Sequence, residues 1–228
     1  MAHGNRVILP GLPHYVAQRG RSGGGFVFRE PTDYRVFLHL LEESCGRYEV
    51  AIWGYTLLAG NYHLILVPDN RGSLDAAMRR LDSEFAHYHN LRHMIRGPVW
   101  DSTYRSAAMC WSQVWDAIAF AEREPVRNEK LGAAWAHPWS SAPARLGRAP
   151  GAQWLDLDEW ARHWDASRWM KRLQACEGEA EFGLGLTTAL RSGTTLGEML
   201  EWREPLVERI GPQRASSSKG LRTVAAVG

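Results

Sequence analysis

Arg79, Arg80, His87, His89, Arg92, His93 and Arg96 fall within one short stretch of this chain. Such a cluster supplies phosphate contacts and a salt-dependent affinity for nucleic acid, although a solvated helix face carries the same pattern. A second group is smaller. Asn61 and His63 lie two positions apart in an apolar run. In a strand they share one face, and from the pattern alone His63 reads equally as a site residue or as a hydrogen-bonded histidine on a half-buried strand. Cys45, Cys110 and Cys176 are widely separated and odd in number, which fits neither a disulfide framework nor the CxxC spacing of a zinc site.

Elements able to position these residues are legible in the hydrophobic pattern. RVILPGLPHYVAQR reads as an edge strand beginning near Pro10, since edges tolerate proline. After the flexible RGRSGGG, Thr32 and Asp33 mark a helix start behind Pro31, and Tyr34, Phe37, Leu38, Leu41, Cys45 and Tyr48 recur at helical spacing. VAIWGYTLL and YHLILV, separated by AGN, predict a hairpin of central strands. Ser73 reads as the cap of a second helix striped by Leu74, Ala77, Met78, Leu81, Phe85 and Tyr88. RGPVWDSTYRSAAM reads as an irregular connection, and a third helix from Ser112 must end close to Pro125.

Strand, helix, strand, strand, helix and a further helix imply an α/β (α+β) sandwich, with helices on a small, mostly antiparallel sheet. The expected organisation is a first domain over residues 1–147, a Trp-rich helical extension over 148–208 and a disordered tail over 209–228. Trp154, Trp160, Trp164 and Trp169 read as packing residues rather than a base-stacking platform. Hydrophobic residues at 45%, charged residues at 23% and a formal charge of +2 describe an ordinary globular protein. The balance permits nucleic-acid binding without demanding it. No apolar run approaches the ~20 residues a membrane helix needs, and the N-terminus lacks a signal-peptide pattern, so a cytoplasmic location without a membrane partner is expected.

PGLPHYVAQRG, DYRVFLHLLEE, GYTLLAGNYHLILVP, EPVRNEKLG and HPWSS together resemble, in order and spacing, the REP-associated tyrosine transposases, which are single-tyrosine HUH transposases. The likeness spans residues 6 to 147, with a weaker echo in RSGTTLGEMLEWREPL. It implies a ferredoxin-like nuclease domain that binds a DNA hairpin and cuts one strand nearby. In that family a His-hydrophobe-His pair holds a divalent metal, a helical tyrosine attacks phosphorus, and a polar residue four positions later completes the metal site. The metal neutralises the scissile phosphate while the covalent phosphotyrosine stores the bond energy for rejoining. His14, Gln18, Arg19 and Arg21 fall in the segment that lies near nucleic acid in the family.

The family's PNHVHL reads GNYHL here, so the resemblance puts Asn61 and His63 at the two histidine positions. A neutral amide oxygen is a weaker ligand than imidazole. YIxxNPVRA reads FAEREPVRN, which puts Phe120 at the nucleophile and Glu124 at the third ligand. Phenylalanine has no hydroxyl, so no phosphotyrosine can form there. Trp111, Val114, Trp115 and Ile118 would form the core stripe of that helix, with Phe120 nearly opposite its centre, though packing of Phe120 on the sheet is the alternative. Tyr62 should point to the opposite sheet face from His63, Tyr88 completes a core stripe, and Tyr104 is the remaining substitute.

The leading expectation is a protein that binds hairpin or single-stranded DNA and has lost covalent strand cleavage. DNA contacts are expected from His14, Gln18, Arg19, Arg21, Arg79, Arg80, Arg92 and Arg96. Tail residues Arg214, Lys219 and Arg222 would add a weak electrostatic contact. One alternative is an active nicking enzyme in which Asn61, His63 and Glu124 hold Mg or Mn and activate water. RNA binding or a regulatory role is another, on fold analogy alone. Monomer and homodimer are both compatible.

Overall fold

The computed structural model describes residues 6–21, 26–149, 153–175 and 178–197. The described residues form one compact unit. The tail and its Arg214, Lys219 and Arg222, together with Cys176 and most of the RSGTTLGEMLEWREPL echo, lie outside the described residues.

A five-stranded sheet organises the chain. Its strands are β1 (His14–Arg19), β2 (Val50–Leu58), β3 (Asn61–Pro68), β4 (Arg105–Met109) and β5 (Thr195–Leu196), in the order β2-β3-β1-β4-β5. Every pairing is antiparallel except β4 with β5. With α1 (Pro31–Arg47) between β1 and β2, and α2 (Ser73–His93) between β3 and β4, the first four strands have the ferredoxin-like βαββαβ arrangement. The sequence predicts this class, and the sheet bears it out.

Local sequence explains each boundary. Pro31 occupies the first turn of α1, where its missing N–H costs nothing. Asp33 closes that end by accepting the N–H groups of Arg29 at 2.8 Å and Glu30 at 3.1 Å. Ala59 and Gly60 form the two-residue turn of the β2–β3 hairpin. Gly20 is required at the end of β1, because a Cβ there would lie 2.1 Å from Val27 Cγ2.

Four expectations need correction. β1 begins at His14, not Pro10; the earlier residues turn at Gly11 (φ 72) instead of pairing. RSAAM is a strand rather than part of an irregular connection, because two-residue alternation is invisible in so short and alanine-rich a run. Gly72, not Ser73, is the N-cap of α2. The third helix is preceded by a short 3-10 turn, Trp111–Gln113, and runs as α3 (Val114–Glu122); the chain then re-enters a short helix, α4 (Glu124–Asn128), because proline is tolerated in a first turn.

Alternation along the strands divides the interior in two. Val16, Tyr62, Leu64 and Leu66 face α1 and α2, whose Phe37, Leu41, Leu81 and Phe85 are fully buried against them. Each such side chain contributes about 1.5–3 kcal/mol. Tyr15, Ile65, Val67 and Ala107 face the other way, towards α3. That face also receives α5 (Ala142–Arg145), α6 (Asp158–His163), α7 (Ala166–Gln174) and α8 (Glu179–Ser192). Trp160 and Trp169 are buried, and Trp164 packs against them, in line with packing roles. At the centre of this layer the Glu122 carboxylate accepts Ser141 Oγ at 2.6 Å, Trp169 Nε1 at 2.8 Å and Arg145 Nε at 2.9 Å, with Glu122 and Arg145 both closed to solvent.

Candidate functional site

The α3-facing side of the sheet carries the candidate chemistry. Register pairs Tyr15 with Ile65, Ala17 with His63 and Arg19 with Asn61, which sets Tyr15, Arg19, Asn61 and His63 on one face. Tyr62 points oppositely, is fully buried, and donates its hydroxyl to Asp82 at 2.8 Å. That geometry agrees with the expectation and removes Tyr62 from the site. The other tyrosines are also engaged. Tyr88 donates to Asp33 at 2.9 Å, and buried Tyr104 donates to Asp75.

His63 Nδ1 lies 3.0 Å from the Tyr15 hydroxyl. With the proton on Nδ1, the Nε2 lone pair is free, and Nε2 has no hydrogen-bond partner among the described residues. Asn61 Oδ1 is likewise buried and partnerless. Two orphaned polar atoms on the same strand face meet the requirement for a ligand or water. The third expected ligand is different. Glu124 is buried, takes an ion pair from Arg127 at 2.7 Å and accepts the Asn128 amide.

Burial lowers the His63 pKa, with Glu124 opposing and Arg127 reinforcing the shift, so the ring is neutral at pH 7. Burial, assisted by Glu124, raises the Tyr15 phenol well above its ordinary value. These influences place Glu124 and Arg127 within electrostatic reach of both residues. Tyr15 is sealed and protonated, which makes it a poor nucleophile.

Phe120 is half-buried. Its ring centroid is 6.4 Å from that of Tyr15 and 5.4 Å from that of Phe182 on α8, and the Arg127 guanidinium carbon lies 3.7 Å above it. Its Cε2–Cζ edge abuts Gly183, where an added Cβ would be only 3.0 and 3.1 Å from those atoms. Glu179 locks α8 in place by pairing with Arg123 at 2.9 Å and with Arg127. The side chain packs against Tyr15 of β1 and the core beneath it, the sheet packing that the sequence left open as the alternative, and Phe182 of α8 lies against it. Neither Tyr15 nor the α8 cover was visible as part of this site in the sequence.

The expected DNA contacts separate into two classes. His14 is fully buried: Leu9 N–H donates to its Nε2 at 3.2 Å, and Nδ1 donates to Leu12 O at 2.8 Å. Burial lowers its pKa to about 4. Gln18 is buried too, donating to Ser102 O at 2.9 Å and lying 3.5 Å from Asp82. Both are corrections, because a side chain consumed by interior hydrogen bonds cannot contact a phosphate. Arg80 is held by Glu84 and Glu43, and Arg92 by Glu30.

Arg19, Arg21, Arg79 and Arg96 are exposed and without an ion pair among the described residues. Arg21 Nη1 lies near Gly97, beside Arg96, and its backbone N–H bonds Val99 O. Arg19, Arg21 and Arg96 consequently gather at the sheet end that carries Asn61 and the hairpin turn. Arg79 sits early in α2; about 13 residues at 1.5 Å each put it some 20 Å from Arg92. The basic stretch is not one patch.

Among the described residues, one group of three acidic or histidine side chains brings its ligand atoms within 4.8 Å of one another: Glu30, Asp33 and His93, on the α1–α2 side.

The fold has a solved counterpart. A REP-associated tyrosine transposase bound to a REP hairpin aligns over 69% of this chain and 96% of its own, with a TM-score of 0.56 and 14% identity. The chain resembles the REP-associated tyrosine transposases in fold. A putative transposase from Deinococcus radiodurans R1 aligns over 52% of this chain and 95% of its own at 17% identity, with a TM-score of 0.32, too low to carry an argument. No family model and no curated relative matches. Among the described residues, no helix is long and apolar enough to cross a membrane.

Proposed function

We propose that this protein binds DNA hairpins or single-stranded DNA and does not form a covalent phosphotyrosine intermediate. The observation that carries the second half is Phe120, which lacks a hydroxyl and packs against Tyr15, Arg127, Phe182 and Gly183. Binding is supported by Arg19, Arg21 and Arg96, cations without an ion pair among the described residues and gathered at one end of the sheet, and by the fold likeness to a transposase solved with a hairpin.

A divalent ion of the Mg or Mn class would take His63 Nε2 and Asn61 Oδ1, the two orphaned donors, and would supply charge neutralisation to a phosphate. Both donors are neutral, and Glu124 is neutralised by Arg127, so the residues offer a weak site. Those orphaned atoms favour a second reading, nicking by metal-activated water; the Arg127 cation beside them disfavours it.

Titration of the protein with labelled hairpin, single-stranded DNA, duplex and RNA, with and without Mn, tests the proposal. A shift on hairpin or single-stranded DNA without an adduct that survives denaturation is expected. An adduct at any tyrosine refutes the loss of covalent chemistry; nicking without an adduct selects the second reading. Preference for RNA, or no binding to any nucleic acid, refutes the DNA assignment.

A further inference from the structure

The first turn of α1 and the last turns of α2 meet at Glu30, Asp33 and His93, with His93 Nε2 3.0 and 3.2 Å from the two Asp33 carboxylate oxygens. Asp33 is closed to solvent and His93 nearly so. One turn earlier on α2, His89 is only 4% exposed, and neither of its ring nitrogens has a hydrogen-bond partner among the described residues. Its ring centroid lies 4.7 Å from that of His93. A buried imidazole with both nitrogens idle costs about 1–3 kcal/mol per unsatisfied group.

We propose that His89, His93, Asp33 and Glu30 form a structural site for a zinc-class divalent cation that clips the start of α1 to the end of α2. Two histidines separated by three residues present their rings on one helix face, the spacing common in zinc sites. Bonds of about 2.0–2.2 Å in a tetrahedral shell separate neighbouring donors by roughly 3.3 Å, close to the His93–Asp33 separation; the Glu30, Asp33 and His93 donors lie within 4.8 Å of one another, and His89, outside that group, has to turn its ring to complete the shell. Two imidazoles and two carboxylates make a neutral complex of the N and O donors that Zn2+ and Co2+ accept and that Mg2+, which favours six oxygens, does not.

Competing bonds leave room for the ion. Asp33 uses one oxygen to cap α1 and the other to receive Tyr88 and His93, and metal binding replaces only the His93 contact. Arg92 holds Glu30 Oε1 from outside at 2.9 Å, and the Glu30 side chain also accepts the Asp33 backbone N–H in a capping box, a contact that a second lone pair of the carboxylate can keep while binding an ion. The site is separate from Asn61 and His63, which lie on the opposite face of the sheet. Its consequence is local: the α2 end it fixes passes through Met94, in left-handed conformation at φ 52, into the loop carrying Arg96.

Metal-free full-length protein titrated with Zn2+, and with Co2+ read by its visible tetrahedral bands, tests the site. One equivalent should bind, and His89→Gln and His93→Gln should each weaken binding more than about tenfold. The His89 ring nitrogens have no hydrogen-bond partner among the described residues, so its variant should keep the native circular dichroism and be informative even if His93→Gln unfolds. The proposal is overturned if the native protein binds no Zn2+, if folded His89→Gln binds as tightly as the native chain, or if His63→Ala abolishes binding.

Discussion

Returning the hydroxyl at position 120 should not return the chemistry. In Phe120→Tyr the new oxygen extends from Cζ, an atom so near Gly183 that a Cβ there would lie only 3.1 Å from it. Crowding of α8 by that oxygen, or its burial without a partner, is the expected result. Overpacking costs about 1–3 kcal/mol, and an unsatisfied buried hydroxyl about the same. For a chain of this size 1 kcal/mol moves Tm by roughly 2–4 °C, so a fall of about 4–8 °C is expected. Release of α8 would also strain the Glu179 pairs to Arg123 and Arg127. The assay joins thermal unfolding with a denaturing gel for covalent adduct on hairpin DNA in Mn; Phe120→Tyr should unfold earlier and form none. A variant of native stability that forms the adduct would refute the reasoning, since it would show that α8 neither crowds the ring nor shuts out the phosphate.

The remaining predictions address binding and stability. If Arg19, Arg21 and Arg96 each neutralise one phosphate, raising salt from about 50 to 200 mM should weaken DNA binding about 20- to 40-fold, and Arg96→Ala should flatten that dependence in anisotropy titrations while Arg80→Ala, an arginine already paired, should not. Glu122→Gln leaves Arg145 buried without its counter-charge and should cost about 3–5 kcal/mol in urea unfolding. His14, with its pKa lowered to about 4 by burial, takes up its proton in the unfolded chain first, so its contribution holds above about pH 6.5 and falls by about 1.4 kcal/mol per unit as pH drops towards 4. Asp82 runs the other way: burial raises its pKa to about 7, so its linkage favours the folded state at low pH and is lost as pH rises from about 4 to 7. Relative to Asp82→Asn, the native protein should therefore lose up to about 1.4 kcal/mol per unit across that window.

The sequence by itself determined the helices, the hairpin and the facing of Asn61 with His63. Each follows from short-range geometry: 3.6-residue periodicity exposes α1 and α2, two-residue alternation exposes β2 and β3, and a tight turn joins the pair. It also determined that position 120 has no hydroxyl. Only the tertiary structure decided what surrounds these residues. β4 exists because β1 offers it an edge, not because RSAAM prefers a strand. His14 and Gln18 look like phosphate ligands in a one-dimensional motif, yet pleating turns both into the interior, where backbone groups and Asp82 consume their hydrogen bonds. The basic stretch of α2 is dispersed by the helix itself and partly neutralised by Glu30, Glu43 and Glu84, residues distant or adjacent in sequence but alike in reach. The packing around Phe120 draws Tyr15 from the first strand and Phe182 from the eighth helix. Such long-range closures leave no periodic trace, because which surfaces meet depends on how the whole chain packs.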